Sequence, residues 1–239
     1  MKNLKFIKAF LILVLGFVSC DNNDYDNTPD LQAIADVFVR CTKVDNDTVY
    51  APVFYTYSNF LMASVHAEGP NDSDIDTDLS QYNIKKVFRS VPSENDFTSD
   101  DIENGIYQFE ITADDLQVYT ITDKLREERL DPVEITEFKY NKNLHSFDID
   151  WENVEDRDVY VVKIHDQIDG EVIYVSDQLI SSNHKIITGS NKSNNWSDFT
   201  TVEGETYVVG VYAYKFEVSN AASGYDINCE SVEYREIEW

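Results

Sequence analysis

Short runs in which apolar and polar residues alternate make up most of this sequence from residue 33 to the C-terminus. Stretches rich in Asp, Asn, Ser, Gly and Pro separate them. A period of two is the pattern of a strand with one buried face, and helical periodicity is hard to find in this chain. The 15 Tyr and 13 Phe residues also favour strands. The pattern predicts an all-β fold with strands of the length and spacing of a β-sandwich.

The predicted strands form two groups, one before and one after residue 131. The first group is Ala33–Cys41, Thr48–Tyr57, Phe60–Ala67, Ile84–Arg89, Gly105–Thr112 and Leu116–Thr122. The second group is Val133–Tyr140, Ser146–Trp151, Val159–His165, Glu171–Ser176, His184–Thr188, Thr206–Phe216 and Cys229–Ile237. Seven short strands in about a hundred residues are typical of an immunoglobulin-like sandwich.

Polar segments at Glu68–Gln81 and Ser90–Glu103 predict loops. The only helix-like stretch is the charged segment Asp123–Leu130, which stops at Asp131-Pro132. A proline disfavours helix in the residue before it. We place a domain boundary there, which predicts two tandem β-sandwiches at residues 32–130 and 131–239.

Two segments resemble known sandwich domains. The series Phe147–Trp151, Tyr160 and Gly204–Ala213 resembles the fibronectin type III domain, and the resemblance covers roughly residues 131–239. The shorter segment Gly105–Phe109 is similar to strand F of a bacterial immunoglobulin-like module. The resemblance therefore implies a fibronectin type III-like second half and an immunoglobulin-like first half.

The fibronectin-type resemblance also implies roles for three aromatic residues. By that resemblance Trp151 is the core tryptophan of strand B, Tyr160 belongs to strand C and Tyr207 is a tyrosine corner. In a tyrosine corner the hydroxyl bonds to backbone a few residues upstream, which would be the turn around Glu203 and Gly204.

The N-terminus has the three-part layout of a signal peptide: a cationic start, an apolar run over residues 9–18, and Ser19 before Cys20. The apolar run is shorter than the roughly 20 residues that cross a bilayer. Residues Phe17–Cys20 resemble the bacterial lipobox, which implies that residues 1–19 are removed and that Cys20 is acylated. An ordinary signal peptide cut nearby is the alternative.

Residues 20–31 predict an acidic tether, because the stretch Asp21–Asn27 is too poor in apolar residues to fold. It is similar to the acidic signal that follows the lipidated cysteine in lipoproteins exported to the outer face of the outer membrane. The expected location is therefore the outer membrane, facing the cell exterior, with the periplasmic face as the alternative.

The formal net charge is −26, from 45 acidic and 19 basic residues. A body this negative repels phosphate backbones, which argues against nucleic acid as a partner. Nucleotide-binding, nucleophile-elbow and zinc-protease motifs are absent from the sequence. We therefore expect a protein that is not an enzyme and needs no cofactor, with calcium as one exception to test.

The calcium hypothesis rests on four alternating carboxylates, Asp72, Asp74, Asp76 and Asp78. Alternation places such side chains on one side of an extended segment, and calcium prefers oxygen ligands. The alternative is a plain solvated loop, because the EF-hand template is not matched.

Two tryptophans, Trp196 and Trp239, are candidates for a ligand or interface contact, since exposed aromatics stack on sugars and anchor interfaces. The alternative is that they complete the core. Cys41 and Cys229 either pair in an oxidising compartment or stay buried free thiols, and tandem domains would hold them apart.

Together these observations predict a non-enzymatic lipoprotein of the cell envelope, attached to the membrane through its lipid. It would act as a surface spacer and binding module for a protein or glycan. The alternatives are a carbohydrate-binding accessory of a nutrient-uptake system and an enzyme with a site between the domains.

Overall fold

The computed structural model describes residues 32–70, 73–188, 195–217 and 226–239. Residues 31–239 form one compact unit. Cys20 and Asp72 lie outside the described residues, so the predictions made for them stay predictions. The described part is built from fourteen strands and one short 3-10 turn, Glu94–Asp96, which confirms the all-β class. In these ranges no helix is long and apolar enough to cross a membrane.

The strands match most of the alternating runs of the sequence. They are β1 (Ala33–Val44), β2 (Asp47–Ser58), β3 (Met62–Glu68), β4 (Asp76–Tyr82), β5 (Ile84–Ser90), β6 (Gly105–Ala113), β7 (Val118–Leu125), β8 (Ile135–Asn141), β9 (Ser146–Trp151), β10 (Val159–His165), β11 (Val172–Val175), β12 (His184–Thr188), β13 (Thr206–Phe216) and β14 (Ile227–Glu238).

Eleven of these strands share one hydrogen-bonded sheet, in the order β11-β10-β13-β14-β1-β2-β5-β4-β3-β6-β7. The remaining three form a small sheet, β12-β9-β8. The two halves of the chain meet where β1 pairs in parallel with β14, for example at Val39 and Cys229. The whole arrangement is consistent with β-sandwich domains. Whether it is best divided into two domains at residue 131 stays a prediction.

In the second half the small sheet packs against the strands of the large one. Trp151 of β9 is buried and meets Tyr160 of β10 edge-on, with ring centroids 5.2 Å apart. In the first half, Phe54 of β2 packs on Phe109 of β6 at 6.1 Å. Each half therefore buries aromatic rings between layers, and the two sets belong to one continuous core.

The central strands carry side chains on two distinct faces, as the period of a strand requires. On β1, Val37, Val39 and Cys41 point into the main core. The residues between them, including Arg40, lie on the opposite face and are also buried. This second face is the setting of the candidate site.

Two local predictions are wrong. The segment Glu68–Gln81 contains a strand, β4, although it was predicted to be a loop. Only Leu79 among its seven residues is buried, so the sequence shows no apolar alternation. The segment Asp123–Leu130 is not helical, because β7 continues to Leu125 and residues 126–130 form neither helix nor strand.

The expectation that Cys41 and Cys229 are held apart is also wrong. The first and last strands of the folded part are neighbours, and the two Sγ atoms lie 3.2 Å apart in a buried contact. Both are free thiols in this structure.

Candidate functional site

A groove of about 360 Å³ lies on the second face of the large sheet, where the two halves of the chain join. It is lined by strands β1, β2 and β5 on one side of the junction between β1 and β14, and by strands β10, β11, β13 and β14 on the other. The turn between β10 and β11 also reaches the groove, through Asp169. This volume falls in the range of small-molecule sites. Because charged side chains from both halves of the chain converge on it, the groove is the best candidate for a binding site in the described part of the chain.

Arg40 forms the ionic centre of the groove. Its Nη1 and Nη2 donate to the two carboxylate oxygens of Asp169 at 2.6 and 2.8 Å, and its Nε donates to Glu230 at 2.7 Å. The three side chains come from β1, the β10–β11 turn and β14. Moving the turn away from the sheet would leave buried charges without partners, which is costly. This network therefore holds the turn against the sheet.

The β10–β11 turn is shaped to reach across the groove. Asp169 has a φ of 56°, and a Cβ at Gly170 would lie 2.0 Å from a carboxylate oxygen of Asp166. On the far side, Arg89 donates to the backbone carbonyl of Asp169 and stacks on Tyr82 at 3.6 Å. The turn thus connects the second half of the chain to β5 of the first.

Tyrosines surround the two basic groups of β10. Lys163 donates to the hydroxyl of Tyr214 at 2.7 Å and lies 4.2 Å from the ring centroid of Tyr212. The Tyr212 hydroxyl is 2.9 Å from Nε2 of His165 and donates to Tyr234 at 3.2 Å. These hydrogen bonds hold the polar ends of the tyrosines in the groove.

Gly210 makes room for this arrangement. An added Cβ would lie 2.6 Å from the Tyr212 ring and 3.1 Å from the Tyr234 ring. The absence of a side chain at this position of β13 therefore allows both tyrosines to pack over it.

Burial acts on the pKa values of the ionisable side chains that line the groove. It lowers the pKa of Lys163, and it lowers the pKa of His165 with help from the charge of Lys163. At Asp169 burial acts to raise the pKa, but the hydrogen bond and charge of Arg40 outweigh it, so the pKa is lowered. Asp169 therefore stays an anion, whereas His165 favours its neutral form.

Asp36 lies at one end of the groove. Its Oδ2 accepts a hydrogen bond from the Ile227 amide at 3.2 Å, and its Oδ1 is buried without a hydrogen-bond partner among the described residues. Burial, and next the charge of Asp123, raise the pKa of Asp36 well above its usual value. Both effects favour the neutral carboxylic acid at this position.

The structure brings together two of the four predicted calcium ligands. Asp76 and Asp78 of β4 both face His66 of β3, at 3.4 and 2.9 Å from its ring nitrogens. The hydrogen bond that Asp78 accepts from the His66 ring and the charge of Asp76 raise the pKa of His66 against the effect of burial. Asp74 precedes the strand and, together with Asp76 and Asp96, lines a hollow that is separate from the groove. A calcium role for these aspartates stays a prediction.

The two candidate tryptophans pack on each other at one edge of the core. Trp239 is buried, with its ring stacked on His145 at 4.5 Å and edge-on to Trp196 at 6.1 Å. Trp196 also contacts Tyr174, at 5.0 Å. Much of their surface is therefore in contact with protein, and a ligand role for either one stays a prediction.

One further group could hold a metal ion, and sequence reasoning missed it. Asp148 and Asp150 of β9 lie opposite His184 of β12, whose Nδ1 is 2.8 Å from Asp150 and 3.6 Å from Asp148. Asp148 and Asp150 alternate along β9 and are half-buried, and His184 is exposed. A cross-strand search for paired carboxylates and histidine could have found them. Exposed pairs of this kind are common without a metal.

Sequence reasoning also missed the groove itself. The signal was present in charged residues within strongly apolar runs, such as Arg40 between Val39 and Cys41, and Lys163 between Val162 and Ile164. Such residues break the pattern of a one-sided strand, because a charge at the centre of a strand needs a partner on its own face.

No protein-family model matches the sequence, and no curated protein is significantly similar to it.

Proposed function

We propose that this chain is a non-enzymatic, lipid-anchored protein of the cell envelope that binds a glycan in the groove between its two halves. The observation that carries the proposal is the groove, where the partly exposed ring of Tyr55 and paired charged groups line one concave space. Sugar rings are recognised by aromatic faces together with a few fixed polar groups.

The arrangement of the polar groups favours binding over catalysis. Asp169 and Glu230 are both occupied by Arg40. Both ring nitrogens of His165 are also engaged, Nε2 with the Tyr212 hydroxyl and Nδ1 near the Gly170 carbonyl at 3.4 Å. A general base must reach the proton that it takes from a substrate. An enzyme with a site in this groove is therefore the weaker alternative.

Three features of the second half support the proposed likeness to a fibronectin type III domain. Its strands divide into β12-β9-β8 and β11-β10-β13-β14. Trp151 and Tyr160 meet in the core. The Tyr207 hydroxyl accepts a hydrogen bond from the Val202 amide at 2.8 Å, one residue before the expected turn at Glu203. This fold is widely used for display and binding, although a fold alone does not determine function.

The proposed anchor predicts one result at the N-terminus. Acyl chains hold a protein on a membrane through roughly 0.8 kcal/mol per buried CH₂. Cys20→Ser should abolish acylation and move the protein from the membrane fraction to the soluble fraction. Retention of that variant after a carbonate wash would contradict lipidation at Cys20, and labelled palmitate provides a direct measurement.

The proposed ligand can be tested with a glycan array probed by soluble residues 28–239. Tyr55 lines the groove and is 38% exposed, so Tyr55→Ala should weaken the binding of any glycan that is retained. Tyr57 lies two residues further along β2 and is 49% exposed, but it does not line the groove. Tyr57→Ala is therefore the matched control and should bind as the parent does.

Two outcomes would overturn the proposed function. Equal loss in the Tyr55 and Tyr57 variants would place the binding outside the groove. A blank array would contradict glycan binding, and a specific protein recovered by the same soluble chain would favour the spacer and protein-binding alternative.

A further inference from the structure

Five exposed apolar side chains lie at one end of the strands of the first half. They are about half exposed or more: Ile34, Leu61, Ile84, Leu116 and Val118. Strand pairing brings them to the same end, because β1 starts beside the end of β2, β5 beside the end of β4 and β7 beside the end of β6. The pairs β2–β5 and β3–β6 join these strand ends to one another. We call this the apolar end.

Contacts between the connections and a neighbouring hollow extend the apolar end. The Asp114 amide donates to the Leu61 carbonyl at 2.9 Å, which joins the β2–β3 connection to the β6–β7 turn. A hollow of about 400 Å³ opens beside it, and its lining includes Ile34 and the rings of Phe60 and Tyr119. Single exposed apolar residues are normal on a protein, whereas a group of them marks a surface that contacts a protein or a membrane.

The apolar end also differs in charge from the rest of the first half. Its connections, residues 59–61, 83 and 114–117, carry two acidic residues, and β5 begins nearby with Lys85 and Lys86. Lys85 donates to Asp114 at 2.9 Å, so these charges balance. The connections at the opposite end, residues 45–46, 69–75 and 91–104, carry eight acidic residues and no basic one. The first half therefore has one acidic end and one apolar end of balanced charge.

The chain enters the fold at the apolar end. The Gln32 carbonyl accepts a hydrogen bond from the Asn59 amide at 3.0 Å, and the Gln32 amide donates to the Asn59 side chain at 2.9 Å. Gln32 is twelve residues after Cys20, a length of chain that spans at most about 40 Å. A lipid on Cys20 would therefore keep the apolar end close to a membrane, at a high effective concentration.

We propose that the apolar end lies on the membrane that holds the lipid of Cys20, with Leu116 and its neighbours in contact with that lipid surface. This inference rests on the proposed lipid anchor. Apolar side chains leave water when they enter the boundary between headgroups and acyl chains. A membrane with anionic lipids has a negative surface potential, which favours an orientation with the acidic end turned away.

The test attaches the chain to vesicles through Cys20. Residues 20–239 are coupled to a maleimide lipid in vesicles of phosphatidylcholine, and the reagent selects Cys20 because Cys41 and Cys229 are buried. This coupling takes the place of acylation. The result therefore does not depend on whether cells attach a lipid to this chain.

Quenching of tryptophan fluorescence by brominated phosphatidylcholine reports contact with the acyl chains. Leu116→Trp and Ile34→Trp place a reporter at the apolar end. Val44→Trp is the matched control, because Val44 is on the same strand as Ile34 and is similarly exposed, 50% against 60%, but lies at the opposite end. We expect the fluorescence added at the apolar end to be quenched at least about twofold more than that of the control, since interfacial contacts reach only about 5–10 Å into the membrane.

A charge at the apolar end should weaken the contact. In the Ile34→Trp chain, a second change of Leu116→Asp should lower the quenching, because an acidic side chain is costly in the lipid. Ile106→Asp is the matched control, because Ile106 is also exposed but lies at the opposite end of β6. Thermal melting of each variant identifies any loss that reflects unfolding, and either reporter tests the contact if the other variant is unfolded.

The outcomes separate this inference from the proposed function. Equal quenching of Val44→Trp, or no quenching of Leu116→Trp and Ile34→Trp, would overturn the membrane contact while labelled palmitate still tests the anchor. A dimer of soluble residues 28–239 that Leu116→Asp dissociates would show that a second copy covers the apolar end, and would overturn the inference as well.

Discussion

Removal of a single hydroxyl at Tyr207 tests how the structure stabilises the turn before β13. Tyr207 is 3% exposed, and its ring lies edge-on to Trp239 with centroids 5.8 Å apart. The hydroxyl accepts one hydrogen bond, from the amide of Val202 at 2.8 Å. Tyr207→Phe keeps the ring contacts and removes only this bond.

The expected loss in the free energy of unfolding is about 1 kcal/mol, within the usual net contribution of about 0.5–1.5 kcal/mol for a hydrogen bond. The larger penalty for a buried unpaired donor should not apply, because the side chain of Val202 is 54% exposed and water can reach this turn. Tyr207→Ala also removes the buried ring, so we expect a loss of about 3–5 kcal/mol.

Two other tyrosines serve as comparisons. Tyr107 makes a similar contact in the first half, where its hydroxyl donates to the Glu103 carbonyl at 2.8 Å near the surface. Tyr107→Phe should therefore cost about the same as Tyr207→Phe. The Tyr212 hydroxyl is buried between His165 and Tyr234, so Tyr212→Phe should cost more, about 1–3 kcal/mol.

Urea unfolding followed by tryptophan fluorescence measures these differences, and an unchanged slope with denaturant keeps the values comparable. The reasoning is refuted if Tyr207→Phe costs more than Tyr212→Phe, because access of water to the remaining partner would then not determine the cost. A Tyr207→Phe variant as stable as the parent would show that the corner contributes nothing.

Most of the strands could be predicted because each of them carries its own pattern of apolar and polar residues. Ser146–Trp151, Val159–His165, His184–Thr188 and Thr206–Phe216 were predicted with the bounds that the structure shows. Each of these segments has apolar or β-branched residues at strand spacing. Strand β4 lacks this pattern, because almost all of its side chains face solvent. The alternation of apolar and polar residues reports which side chains are buried. It therefore cannot reveal a strand with only one buried side chain.

The groove could not be predicted, because it depends on pairing between distant parts of the chain. Arg40 and Glu230 are 190 residues apart, and Arg40 and Asp169 are 129 apart. No short-range sequence pattern relates residues that are so far apart along the chain. They meet because β1, which pairs with β2 of the first half along one edge, also pairs in parallel with β14 along the other. An alternating pattern indicates that a strand has a buried face without indicating its neighbour.

The same pairing explains why the separation of the cysteines was misjudged. Ends of tandem domains lie apart when each domain completes its own sheets. Here the first strand completes the sheet of the second half, which brings Cys41 to Cys229. The site and the thiol pair are thus two results of one topological feature, on opposite faces of β1.

Three further variants or measurements test the core and the buried acids. Trp151 is 1% exposed, so Trp151→Ala should lower the free energy of unfolding in urea by about 3–5 kcal/mol. Trp151→Phe should cost less, because it keeps a buried ring and removes an indole N–H that has no hydrogen-bond partner in the described structure. Cys41 and Cys229 are buried, so soluble residues 28–239 should not react with a thiol reagent when folded and should show two reactive thiols in denaturant. A chain with no reactive thiol in denaturant would show that the two cysteines are oxidised. Glu217 tests the pH dependence. Burial, and next the charge of Asp123, raise its pKa from 4.5 to about 7. Between these values the folded state binds more protons than the unfolded state, so stability should fall as pH rises through this window, by at most about 3 kcal/mol from this group. Glu217→Gln cannot ionise and should therefore reduce the decrease in melting temperature between pH 5 and pH 8, while the neighbouring carboxyl groups maintain part of it. An unchanged pH profile in that variant would show that Glu217 titrates near its ordinary pKa and that its surroundings are wetter than the structure indicates.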